Sequence, residues 1–161
     1  DVSELLSHSG ESASQSIPVF MRQWGIDMSL QARGGIEGVT PAFPPSPRQI
    51  YLLQRKAKRV GSGLGKTTGW AHRAELIAKG VEMIPGCEYH KIDDRGLHLT
   101  VGGEQRLLEV DSIVICAGQE PLRELTAELT KPMHLIGGAD VATELDAKRA
   151  IKQGTEIAAA L

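Results

Sequence analysis

The residues of this 161-residue chain whose types and spacing point to chemistry are cations and glycines, and none is a credible acid, base or nucleophile. Arg55, Lys56, Lys58 and Arg59 follow directly on the apolar run Ile50, Tyr51, Leu52, Leu53. A cationic cluster at the carboxyl end of a parallel strand is where a dinucleotide site places groups for an adenosine 2′-phosphate. An acidic residue there would instead hold the free 2′-hydroxyl of NAD. No Asp or Glu occurs between positions 48 and 73, so the local chemistry favours NADP over NAD. The alternative is a solvated basic loop.

Two glycine-rich stretches bear on the same question. Residues 61–68 (GSGLGKTT) approach the P-loop pattern G-x-x-x-x-G-K-[ST], but the required first glycine is Val60. Cations separate the stretch from its strand and no aspartate-terminated strand supplies a magnesium partner, so nucleotide hydrolysis is rejected. The loop N–H groups and Lys66 remain available to a dinucleotide phosphate. In residues 133–161, an apolar run (Met133, Leu135, Ile136) meets Gly137, Gly138 and Asp140, and a helix is expected from about Val141. Ligands sit where a buried strand turns on glycines into a helix, because the first helical turn offers unpaired N–H groups to a phosphate. Asp140 is expected either to cap that helix or to accept from a ribose or ribityl hydroxyl. An ordinary turn with an Asp cap is the alternative.

Composition bounds what these residues can serve. The chain has room for one domain or pieces of two. Its net charge of −2 carries no basic footprint for nucleic acid or an anionic membrane. Two cysteines, Cys87 and Cys116, are too few for a secreted disulfide scaffold. Cys116 is expected in a core strand. No apolar run approaches a membrane span and no signal peptide is recognisable. The opening Asp1-Val2-Ser3 without Met points to a cut or processed start, so a cytoplasmic location is only weakly indicated.

The positioning elements follow in order. Residues 1–8 read as a short helix, either complete or the remainder of a longer one. Residues 9–47 read as an irregular insertion over a surface, with one or two helical turns near Pro18–Trp24 and prolines at 44, 45 and 47. Residues 48–55 are the first strand, apolar enough to be covered on both faces. A helix over 68–79, with Trp70, Ala74, Ile77 and Ala78 inward, ends at Gly80. His72 lacks a metal-ligand partner at the required spacing and is read as structural. A short strand over 81–84 follows, and then an antiparallel meander over 88–110, divided by turn signals at 93–96 and 102–103. His90 and His98 fall on its surface. Residues 111–117 read as a buried strand entering Gly118 and Gln119, where a glycine leaves room for a cofactor and the Gln side chain offers an amide. Residues 123–129 form a short helix or turn. The last helix, 141–161, is amphipathic through Leu145, Ala150, Ile151, Ile157 and Ala158, with a Glu144–Lys148 pair at i, i+4.

This order resembles the later part of two-dinucleotide-fold flavoprotein reductases. The segments RQIYLLQRKAK, GLGKTTGW, IDDRGLH, VICAGQEP, HLIGGADVATELDAKRAI and QGT are similar to the C-terminal region of bacterial NADPH-dependent 2,4-dienoyl-CoA reductases. The likeness covers essentially the whole chain, including QWGID in the insertion. It implies an α/β fold: an incomplete Rossmann-like parallel sheet with a small antiparallel meander. Residues 1–118 would be part of an NAD(P)-binding domain, with 9–47 inserted, and 119–161 the C-terminal piece of an FAD-binding domain.

The resemblance assigns roles residue by residue. Arg55 and Lys56 would hold the 2′-phosphate of NADPH, with Gly118 and Gln119 on the nicotinamide side. Gly138, Asp140, Val141 and Ala142 would form the last FAD element. FMN, the iron–sulfur cluster and the catalytic barrel for unsaturated acyl-CoA reduction in fatty acid β-oxidation would lie outside these residues, as would the glycine-rich pyrophosphate half of both sites. On that reading the segment alone is inactive, and either a homodimer covers the open strand edges or the tail rearranges against them. The other readings are a stand-alone nucleotide-binding or regulatory module, or the same region of an enoate reductase or amine dehydrogenase type of flavoprotein.

Overall fold

The computed structural model describes residues 1–143 and 146–161, in two compact units, Asp1–Asp111 and Ser112–Leu161. Helices and strands are mixed in the first unit, and the strands form two small sheets. The first is a parallel pair of β1 (Tyr51–Leu53) and β2 (Glu82–Ile84), in register Leu52 to Met83. The second is an antiparallel meander of β3 (Cys87–Asp93), β4 (Gly96–Val101) and β5 (Glu104–Leu108). Among the described residues the parallel part stops at two strands. The first strand is accordingly shorter than the expected 48–55, and β1 is half-buried, not covered on both faces.

The two sheets share one core. Ile84, Cys87, Leu97, Leu99 and Leu108 are buried together, with Tyr51, Leu53, Val101 and Val110 packed against them. Leu99, at 1% exposure, sits at its centre. Burying a side chain of that size stabilises by about 1.5–3 kcal/mol. The meander turns where its sequence marks turns. Gly96 opens β4 with φ +123°, and a Cβ there would meet the Leu108 carbonyl oxygen at 2.1 Å. Only glycine meets both demands. Asp93 anchors the same turn: ion pairing with Lys91 Nζ (2.8 Å), then hydrogen bonding from His98, hold its carboxyl well below the usual carboxylate range. His98 is therefore half-buried, whereas His90 is exposed beside Thr100.

Between the parallel strands runs α3 (Gly69–Ala78). Its buried residues are Gly69 and Leu76, so the expected inward side is corrected: Trp70 and Ile77 are exposed. The described fold places no further layer over that side. α1 (Val2–Ser7) is linked to α3 through His72 Nδ1 and Glu4 Oε1 at 2.5 Å. The insertion contains α2 (Ile17–Gln23), capped by the Ser16 hydroxyl. Its following loop is organised by Asp27, whose carboxylate accepts from the amides of Ala32 (2.7 Å), Ser29 (2.8 Å) and Gln31 (2.8 Å). Those bonds, the one from Ala32 first, depress its pKa strongly. Trp24 joins insertion to helix, packing against Phe20, Phe43 and Trp70 at centroid distances of 6.3, 5.1 and 6.0 Å.

The second unit departs furthest from expectation. Residues 111–117 form no strand; Ile113, Val114 and Ile115 are exposed, the last at 78%, and Cys116 is exposed, not core. A strand of this composition is buried only between neighbours, and among the described residues none pairs with it. Met133–Ile136 is likewise not a strand, and Gly137–Ala139 is a single 3₁₀ turn, as is Glu124–Thr126. α4 spans Ala147–Ala160 and begins six residues after Val141, with Asp146 as its cap (Arg149 N to Oδ1, 2.7 Å). Ala150 and Ile157 are half-buried but Ile151 and Ala158 are exposed. The expected Glu144–Lys148 pair and Leu145 lie outside the described residues. No helix among the described residues is long and apolar enough to cross a membrane.

Candidate functional site

The chain leaves β1 at Leu53 and is at once held in place by Gln54. Its backbone N–H donates to the Ile84 carbonyl (3.0 Å) and its carbonyl accepts from Cys87 N (2.9 Å), which extends the parallel pairing. Its side-chain amide turns back on the loop, Nε2 donating to the carbonyls of Lys56 (2.9 Å) and Lys58 (2.8 Å). The Lys56 carbonyl also accepts from Gly86 N at 3.1 Å. With the backbone fastened, the side chains of Arg55, Lys56, Lys58 and Arg59 stand exposed at the carboxyl end of the β1–β2 pair. Arg55 lies near enough to Tyr89 to oppose the upward pull of burial on that phenol.

The loop then closes onto α3. Val60 is buried, and Arg73 Nη1 donates to its carbonyl at 2.5 Å. Leu64 folds over the helix start so closely that a Cβ on Gly69 would lie 2.6 Å from Leu64 Cβ. Lys66 is exposed on this loop, and the N–H groups of Lys66, Thr67 and Thr68 have no backbone partner among the described residues. Arg55, Lys56 and Lys66 are thus exposed cations of one unit. Clustered exposed cations raise the local concentration of anions and supply charge-assisted hydrogen bonds to phosphate oxygens. Gln54 is a positioning residue that no sequence signal marked, because a lone Gln beside a cation run reads as solvated.

Gly118, Gln119, Gly138, Asp140, Val141 and Ala142 all lie in the second unit. Gly118 (φ +131°) and Gln119 are exposed and outside regular structure. The Gly137–Asp140 bend is held by side chains of its own unit. Gln153 receives Gly137 N on Oε1 (2.7 Å) and donates through Nε2 to Asp140 Oδ2 (2.8 Å). Arg123 donates to the carbonyls of Ala139 (2.7 Å) and Asp140, and Arg149 to those of Val141 and Thr143. Asp140 keeps Oδ1 without a partner among the described residues, but it caps no helix, and Val141 and Ala142 form no helical first turn.

At the start of α4 the Asp146 carboxylate occupies the positive end of the helix dipole. No known protein-family model matches the chain.

Proposed function

We propose that this chain supplies the NADPH-holding part of a flavoprotein reductase of the 2,4-dienoyl-CoA reductase type. The observation that carries the reading is the cationic loop Gln54 fastens at the carboxyl end of β1–β2, in a stretch free of carboxylates from position 48 to 73. Arg55 and Lys56 bind the 2′-phosphate, and Lys66 assists a phosphate from the following loop. The bound dinucleotide supplies the hydride chemistry, and the residues here bind and orient it. FAD, a role in fatty acid β-oxidation and a cytoplasmic location rest on the resemblance alone. The exposed apolar residues 113–115 support a homodimer or a remaining part of the same enzyme as partner.

A second reading, a nucleotide-binding module without turnover, is favoured by the second unit. There Gln153 occupies the bend assigned to FAD, and Asp146 occupies the helix end. Both readings keep the phosphate loop. Its test is titration of the chain with NADPH and NADH, comparing wild type with Arg55→Ala. Loss of a charge-assisted bond costs about 1.5–3 kcal/mol, so NADPH weakens about tenfold or more while NADH changes little. Equal weak binding of both dinucleotides removes the assignment.

A further inference from the structure

The first turn of α3 carries an aromatic face that the fold leaves open. Trp70 is 64% exposed, yet its ring is fixed. Indole Nε1 donates to the Thr67 carbonyl at 3.0 Å, and Trp24 packs against the ring at 70°. A ring already held loses little freedom on stacking, which makes it a better platform than a mobile one.

Topology puts the start of α3 at the same sheet end as the cations. β1 and β2 are parallel, so α3 must carry the chain from the carboxyl end of β1 back to the amino end of β2. Its first turn therefore lies at the end from which the 55–59 loop emerges. The loop is tied to the helix there, through Arg73 to Val60 and through Leu64 over Gly69. Lys66 precedes Trp70 by one short turn of chain. A flat apolar face at the same sheet end as exposed cations selects an occupant with a π surface and negative charge. Base–aromatic stacking combined with phosphate contact meets that description.

We propose that Trp70 stacks the adenine of an adenosine 2′-phosphate whose phosphate is held by the cationic loop. This rests on the reading of that loop given above, and it assigns the base to a residue outside the phosphate contacts. The test titrates the 161-residue chain with adenosine 2′-monophosphate by calorimetry, and with inorganic phosphate, a base-free probe, by phosphorus NMR. Trp70→Leu fills the volume without a π face, and Trp70→Phe keeps one. The expected result is a loss of about 5- to 100-fold in nucleotide affinity for Trp70→Leu, near-retention for Trp70→Phe, and unchanged phosphate binding in both. Arg55→Ala weakens both probes. If Trp70→Leu binds the nucleotide like wild type while Arg55→Ala does not, stacking is overturned and the phosphate reading survives. Equal weakening of both probes by Trp70→Leu overturns it as well. No binding of either probe to the wild type overturns both.

Discussion

Replacing Gln54 with alanine isolates how the basic loop is held. The side chain makes two bonds, to the carbonyls of Lys56 and Lys58, at 2.9 and 2.8 Å. Both distances are good for N–H···O, and each such bond contributes about 0.5–1.5 kcal/mol net. Gln54 is half-buried, so water replaces part of what is lost. A total of about 1–2 kcal/mol is the reasonable range, equivalent to a five- to thirtyfold rise in the opened population of the loop. The sheet contacts of residue 54 use its backbone and survive the change. Trypsin provides the assay, because the loop itself holds four cleavage sites, Arg55, Lys56, Lys58 and Arg59. When closing outpaces cleavage, the rate follows the open population. Cleavage within 55–59 is therefore expected to rise about tenfold in Gln54→Ala, with cleavage at Lys91 and Arg95 in the meander unchanged as internal control. A loop cut at the wild-type rate would refute the claim that Gln54 holds it. Equal acceleration at the meander would show that the change acts on the whole unit instead.

Two further outcomes follow from side chains elsewhere. Asp27 has a depressed pKa, so its contribution is complete above the ordinary carboxylate range and is lost as pH falls toward the lowered value. Amide exchange at Ser29, Gln31 and Ala32 should stay slow through mildly acidic pH and quicken only in strong acid; Asp27→Asn should exchange faster at neutral pH. Unchanged protection in the variant would count against the carboxylate as organiser. For the cysteines, Cys116 is exposed and Cys87 is buried with its thiol on the Ile84 carbonyl at 3.2 Å. A thiol reagent should label one cysteine at once and the second only on unfolding; two slow thiols would mean that residues 112–117 are covered in solution, and sedimentation would then identify a dimer.

The elements that could be read in advance are those whose signals are local. The meander is written in its alternation and in glycines at 96, 102 and 103, and α3 stops at Ala78, two residues before the left-handed Gly80 that its sequence marks as the stop. Residues 111–117 carry an equally clear apolar pattern but form no strand, because burial of a strand depends on neighbours that its own sequence cannot specify. The late start of α4 has a local cause that competed with Asp140. Val141 and Thr143 are β-branched, whereas Asp146 is followed by Ala147, Lys148 and Arg149, which are strong helix formers. For the site, the cation cluster was legible from charge and order. Gln54, Arg123 and Gln153 were not, since each acts through a carbonyl or amide that only the folded chain brings near. Apolar spacing places Trp70 inward because it says which residues share a face, not whether anything covers that face.

The aromatic seam has a practical consequence for any spectroscopic melt. Both tryptophans and both phenylalanines of the chain meet around Trp24, and the meander core contains neither type. Indole emission therefore watches the insertion peel away from α3 and is nearly blind to the β-strands, while backbone ellipticity averages over all the helices and strands. Disagreement between those two curves would measure how tightly the insertion is wedded to the rest of its unit, without any mutation at all.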